Sequence, residues 1–205
     1  MTDSHLRDLE RRFRASGSVE DEAAWLRARV QAGELSQERL ELASALGHRG
    51  SELASGTASV PTSEALSRLG KGAEARARAA CALGHAARPH WKPQAIDYDP
   101  GDPDEGLRAL EEWIVYQNDE TTGRLVEAIG HSDDLWCLLA LCVDGSPANG
   151  RERFLSDMHG FAKRLVDREA ELSGALREAL APWLLGYSDP VRERVQTRQR
   201  EAAGE

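Results

Sequence analysis

Histidines next to carboxylates are the pattern in this chain from which a catalyst could be assembled. His85 and His90 are followed by Asp97-Tyr98-Asp99-Pro100-Gly101-Asp102. With that acidic loop folded back, Asp97 or Asp99 would orient an imidazole for general-base work, the arrangement of a small hydrolase or transferase. The rest of such a site is missing. No nucleophile sits on a strained glycine-flanked turn, and the two histidines lack the one-turn spacing and neighbouring Glu of a zinc-protease helix. The same carboxylates alternate as at the start of a calcium loop. Such a loop needs Gly at its sixth place and Glu at its twelfth, and here those places hold Asp102 and Arg108. An acidic capped loop is the plainer reading.

Other candidate chemistries fail on spacing. Cys137 and Cys142 lie five apart on an apolar stretch behind His131, whereas two ligands on one helical face want a separation of three or four. They read as small buried hydrophobes. Gly70-Lys71-Gly72 has neither the spacing nor the preceding strand of a phosphate loop. Arg192, Arg194, Arg198 and Arg200 make the last helix locally basic, but Glu193 and Glu201 interleave and no aromatic is there to stack on a base, which argues against nucleic acid as a partner. No catalytic residue, cofactor or metal ligand is assigned. The five tryptophans suit the edges of helix pairs. Trp25 and Trp91, with Asp97, Asp99 and Asp102, are the candidate partner-binding residues.

The elements that must position these groups are helical. Leu6, Leu9 and Phe13 form one stripe, which Gly17 ends; Ser18 and Asp21 make a variant capping box before Ala23, Leu26 and Val30, and Gly33 stops that helix. Ser36 opens a third helix through Leu40, Ala43 and Leu46. From Gly47 to Gly72 the chain is rich in Gly, Ser, Thr and Ala, which predicts loops around one short helix at Thr62 to Leu69. An Ala-rich helix is expected over Ala73 to His90, and the prolines of Lys92 to Asp104 then force a loop. Asp102 caps a helix beginning at Pro103, with Leu107, Leu110 and Ile114 on its stripe. Another starts at Asp119 or Thr121. Leu135 to Val143, apolar nearly all round, is expected to be the central helix. Asn149 to Leu185 reads as one long or broken helix that Pro182 kinks or restarts. Asp189-Pro190 opens a last helix whose large apolar residues, Val191 and Val195, are too few to bury a face well.

No period-two strand pattern interrupts this order. The fold class is therefore all-α, antiparallel helical hairpins, in a single domain 1–205 with a possible sub-boundary at 48–72. Ala45-Leu46-Gly47-His48, Ala82-Leu83-Gly84-His85 and Ala128-Ile129-Gly130-His131 share one motif at spacings of 37 and 46 residues. HEAT-like α-solenoid stacking is one arrangement that this spacing allows, and reuse of a common helix stop is the other.

Composition agrees with a folded, water-soluble chain. Its 205 residues are 40% hydrophobic and 30% charged, enough for a core without staples. The formal charge of -9 opposes nucleic acid and anionic membranes and favours a basic protein partner. Three cysteines, an odd number inside apolar stretches, point to a reducing compartment. The start is already an amphipathic charged helix rather than a secretion signal, and the longest apolar run is too short to cross a bilayer, so the cytoplasm is the expected location.

Two stretches carry a resemblance. Leu9-Glu10-Arg11-Arg12-Phe13, Gly17 to Glu22, Arg29-Val30-Gln31-Ala32-Gly33 and Leu42 to His48 resemble the opening of a group of uncharacterised bacterial proteins that look helical and repeat-like. The middle, Ala79 to Trp113, with Asp102-Pro103-Asp104-Glu105-Gly106-Leu107-Arg108-Ala109-Leu110-Glu111-Glu112-Trp113, is similar to helical immunity proteins of bacterial toxin systems. It departs from that pattern in lacking an Arg-Pro-Arg run before the helix. The resemblance implies a helical inhibitor or adaptor that binds a protein, and neither family offers a catalytic motif to carry over. A small hydrolase or transferase, and a structural subunit that oligomerises through Asn149 to Leu185, are the alternatives.

Overall fold

The structure, a computed structural model, describes residues 3–69, 73–90, 103–130 and 169–204. The described residues are all-helical, with ten α-helices, one 3-10 turn and no strand among them. Trp91, Asp97, Asp99, Asp102, Gly70-Lys71-Gly72, His131, Cys137, Cys142, the expected central helix Leu135 to Val143 and residues 149–168 lie outside the described residues.

Helix α1 (Asp3–Ser16) turns at Gly17, where φ is +60°, into α2 (Val19–Gln31). Ser18 caps α2 by accepting from the Asp21 amide, and Asp21 in turn holds Arg12 and Ser16 of α1, so one cap also ties the hairpin shut. Helix α3 (Gln37–Ala45) is capped by Ser36 and ended by Gly47 at φ +84°. The loop expected next is instead a further helix, α4 (Arg49–Ser55). Its signals are weak in sequence because the cap is a histidine, His48, and its second residue is Gly50. A Cβ on Gly50 would lie 2.6 Å from Cδ of Glu22, so the glycine is what lets α4 press against α2.

Helix α5 (Thr62–Leu69) has its expected bounds, and α6 (Ala73–Ala87) runs into the 3-10 turn Arg88–His90. Helices α7 (Pro103–Tyr116) and α8 (Asp119–Gly130) form a hairpin. Asn118 and Thr121 cap α8 reciprocally, each side chain accepting from the other's amide. Helix α9 (Glu169–Leu185) does not restart at Pro182, which sits in its last turn. Helix α10 (Pro190–Ala203) is capped by Asp189.

Helix α9 packs against both α3 and α6, with Leu172, Leu176 and Leu180 fully buried. Its C-terminal carbonyls face guanidiniums: Arg29 donates to Leu185 O and Arg39 to Trp183 O, both suiting the negative helix end. In a solenoid each unit touches its sequence neighbours; α9 joins helices far from it in the chain. The three Gly-His motifs are likewise not equivalent. Gly47 is a left-handed stop, Gly84 lies inside α6, and Gly130 is the last residue of α8. Gly84 leaves room for Leu107 of α7, whose Cδ2 a Cβ there would meet at 2.7 Å.

Helix α6 is enclosed on most sides, with Ala77, Ala79, Ala80, Cys81, Ala82, Leu83 and Ala87 buried. Small side chains let α7 and α9 approach it closely. No described helix is long and apolar enough to cross a membrane.

Candidate functional site

Cys81 and His85 are one turn apart on α6 and so share a face. Opposite them α7 presents Glu111, at a stripe position between Leu107 and Ile114, and its side chain is 0% exposed. Removing a lone carboxylate from water costs several kcal/mol, so it must be met by donors. They come from two helices. Arg194 Nε and Arg198 Nη1, one turn apart on α10, donate to Oε1 and Oε2 at 2.6 Å each, and His85 Nε2 donates to Oε1 at 2.9 Å. The Cys81 thiol lies 3.8 Å from Oε1, and Arg194 Nη2 3.9 Å from the sulfur.

Burial pushes the Glu111 carboxyl upward, but the hydrogen bonds from His85, Arg194 and Arg198 outweigh it and hold the group at about 2. Cys81 moves the other way: burial, then the neighbouring Glu111 charge, push its thiol up to about 12. A neutral, fully buried thiol is not a nucleophile. The same contacts correct the expectation for the last helix. Val191 and Val195 are buried although they are the only large apolar residues of α10, and α10 docks on α7 with Arg194 and Arg198 reaching a buried charge. Asp189 adds a second tie, accepting a fork from Arg78 at 2.7 and 2.8 Å, while Arg78 also lies over the Trp183 ring.

A second buried carboxylate lies between the N-terminal helices and the α9–α10 turn. Tyr187 donates to Glu22 Oε1 at 2.7 Å, and His48 Nε2 stands 3.6 Å from the same oxygen. His48 Nδ1 accepts the Ser51 amide at 3.2 Å and meets Ser51 Oγ at 2.9 Å. Ser, His and Glu in a row suggest a nucleophile relay, but Nδ1 already serves as the helix cap and Ser51 is completely buried. Burial lowers His48 and, with the bond to Glu22, raises Tyr187, so both stay neutral near pH 7.

Trp25 is half-buried in a ring cluster beside this network. Its centroid is 5.4 Å from Phe13 and 5.5 Å from Tyr187, and Arg29 lies 5.0 Å from it. His85 is paired with Glu111, a residue the sequence reading passed over. The available signals were the Cys-x-x-x-His spacing inside α6 and a Glu standing on an otherwise apolar stripe of α7. Cys81, His85 and Glu111 are also the described residues whose donor atoms could together hold a metal ion.

An open cleft of about 580 Å³ lies where α2 begins beside α4, lined by Val19, Glu20, Arg49, Glu52, Leu53 and Gly56 among others. Comparison with protein-family models, with curated proteins and with solved structures gives no match to this chain.

Proposed function

We propose that this protein acts by docking another protein rather than by catalysis, and that the cleft between α2 and α4 is the docking surface. The observation that carries this reading is where its exposed apolar side chains lie. Of the four large apolar residues exposed among the described ones, Val19 (37%) and Leu53 (48%) line that one cleft. An apolar pair held open to water suits an anchoring side chain from a partner. Glu20 and Glu52 stand on the lining with Arg49, and the formal charge of -9 favours approach of a basic surface. The occupant is a protein segment carrying an apolar side chain between basic residues. Inhibition of a basic toxin domain, the role implied by the sequence resemblance, is the concrete version of this reading. The interior supports it from the other side, because Cys81, Ser51 and Glu111 are buried and bound to internal partners.

A photo-crosslinking residue at position 19 tests the reading in extracts of the native host. It is expected to capture a basic protein, while the same residue at Val126, exposed on α8, captures nothing above background. Leu53→Asp is expected to abolish capture and leave the circular dichroism spectrum unchanged. Equal capture from both positions, or capture that survives Leu53→Asp, overturns the proposal.

A further inference from the structure

We propose that Cys81, His85 and Glu111 bind a borderline-soft dication of the zinc class, with a fourth ligand position open on the His85 side. One sulfur, one imidazole nitrogen and one carboxylate oxygen are the donor mixture such an ion accepts. All three donor atoms lie within 4.8 Å of one another, with His85 Nε2 2.9 Å and Cys81 Sγ 3.8 Å from Glu111 Oε1. An ion about 2.0 to 2.3 Å from each ligand spaces tetrahedral ligand atoms roughly 3 to 4 Å apart, so it fits this triangle with small side-chain movements. The i, i+4 placement on α6 fixes two ligands on one rigid element and α7 supplies the third. His85 is 42% exposed, which gives the ion a way in, whereas Cys81 and Glu111 are sealed from solvent.

Binding is an exchange of protons for metal without redox change. The Cys81 thiol releases its proton to water and binds as thiolate. The proton that His85 Nε2 donates to Glu111 passes to water. The ring carries its single hydrogen on Nδ1, taken up from water where the ring starts neutral, and the freed Nε2 lone pair binds the ion. Thiolate and carboxylate together cancel the charge of the ion. Arg194 and Arg198 oppose a dication, but each is about one-third exposed and therefore screened, and the four lone-pair sites of a carboxylate leave room for both guanidiniums beside the metal. Arg194 Nη2 is also placed to donate to the thiolate. The arginines make this a weaker site than a structural zinc cluster, with an affinity of about micromolar order expected.

The test uses the whole chain, reduced and stripped with chelator, titrated with Co²⁺ alone. The expected result is a thiolate-to-cobalt band in the near ultraviolet with tetrahedral bands in the visible, one ion per chain, all displaced by Zn²⁺. Cys81→Ser is expected to lose the near-ultraviolet band, and His85→Gln to weaken binding by at least about tenfold. Because Cys81 is in the core, His85→Gln at a part-exposed position keeps the question answerable if Cys81→Ser does not fold. Replacing Cys137 and Cys142 together by Ser is expected to leave the band in place. No band at millimolar Co²⁺, a band unchanged in His85→Gln, or a band lost with Cys137 and Cys142 overturns the proposal.

Discussion

Two buried glutamates in this molecule solve the same problem with opposite chemistry. Glu111 is surrounded by cationic donors from α10, whereas Glu22 accepts from a phenol and lies beside an imidazole that burial keeps neutral. The first is an ionic lock between helices, and in the second the carboxylate is met by neutral side chains, one of which doubles as a helix cap. The difference teaches what each can tolerate. An ionic lock fails when its counter-charge goes, while a carboxylate met by neutral groups fails by losing one hydrogen bond or the space around it.

The largest effect is expected from removing the buried charge. Glu111→Ala leaves Arg194 and Arg198 without their acceptor and is expected to cost about 4 kcal/mol, a melting shift on the order of 10 °C. Hydrogen exchange should show residues 190–203 opening first. If those amides stay protected, the lock does not hold α10.

Acid separates the two sites by pH window, measured with chelator present. The Glu111 carboxyl titrates at about 2 in the folded protein against 4.5 in the unfolded chain, so the unfolded state takes the proton first. Its contribution, about 3 kcal/mol, is complete above pH 4.5 and is lost as pH falls toward 2. His48 is lowered below 6.5 by burial, so its smaller contribution is lost on acidification starting from that value. Urea midpoints of His48→Asn, which keeps a capping oxygen but cannot titrate, should lack the upper window and keep the lower one.

Space around the second network gives the next effect. Gly50→Ala puts a methyl against several Glu22 atoms and is expected to cost about 2 kcal/mol by chemical denaturation. Gly84→Ala meets the movable end of Leu107 and should cost about half as much. An equally small effect is expected from Tyr187→Phe, which removes one donor from Glu22 for about 1 kcal/mol. A loss as large as that of Glu111→Ala would mean that the Tyr187 phenol carries the whole of the second network.

The helices were legible in the sequence wherever stripes and stops were strong. Ser18, Ser36 and Asp189 are caps of a type that local sequence announces, and Thr62–Leu69 was bounded by its own periodicity. Helix α4 was not legible, because its cap is a ring nitrogen and its reason for existing is a fit against Glu22 from another helix. The site was half legible. His85 stood out as a titratable group, but its partner Glu111 lies 26 positions further on and reveals itself only as one charge on an apolar stripe. The roles of Arg194 and Arg198 depend on the docking of α10, which no local pattern encodes.

The position of α9 has a consequence for biosynthesis. During translation α3 and α6 leave the ribosome well before residues 169–185 exist, so the helix that packs against both of them arrives late. Truncated forms ending near residue 130 lack this helix, with its Leu172, Leu176 and Leu180, against α3 and α6, and are expected to be chaperone clients and prone to aggregate.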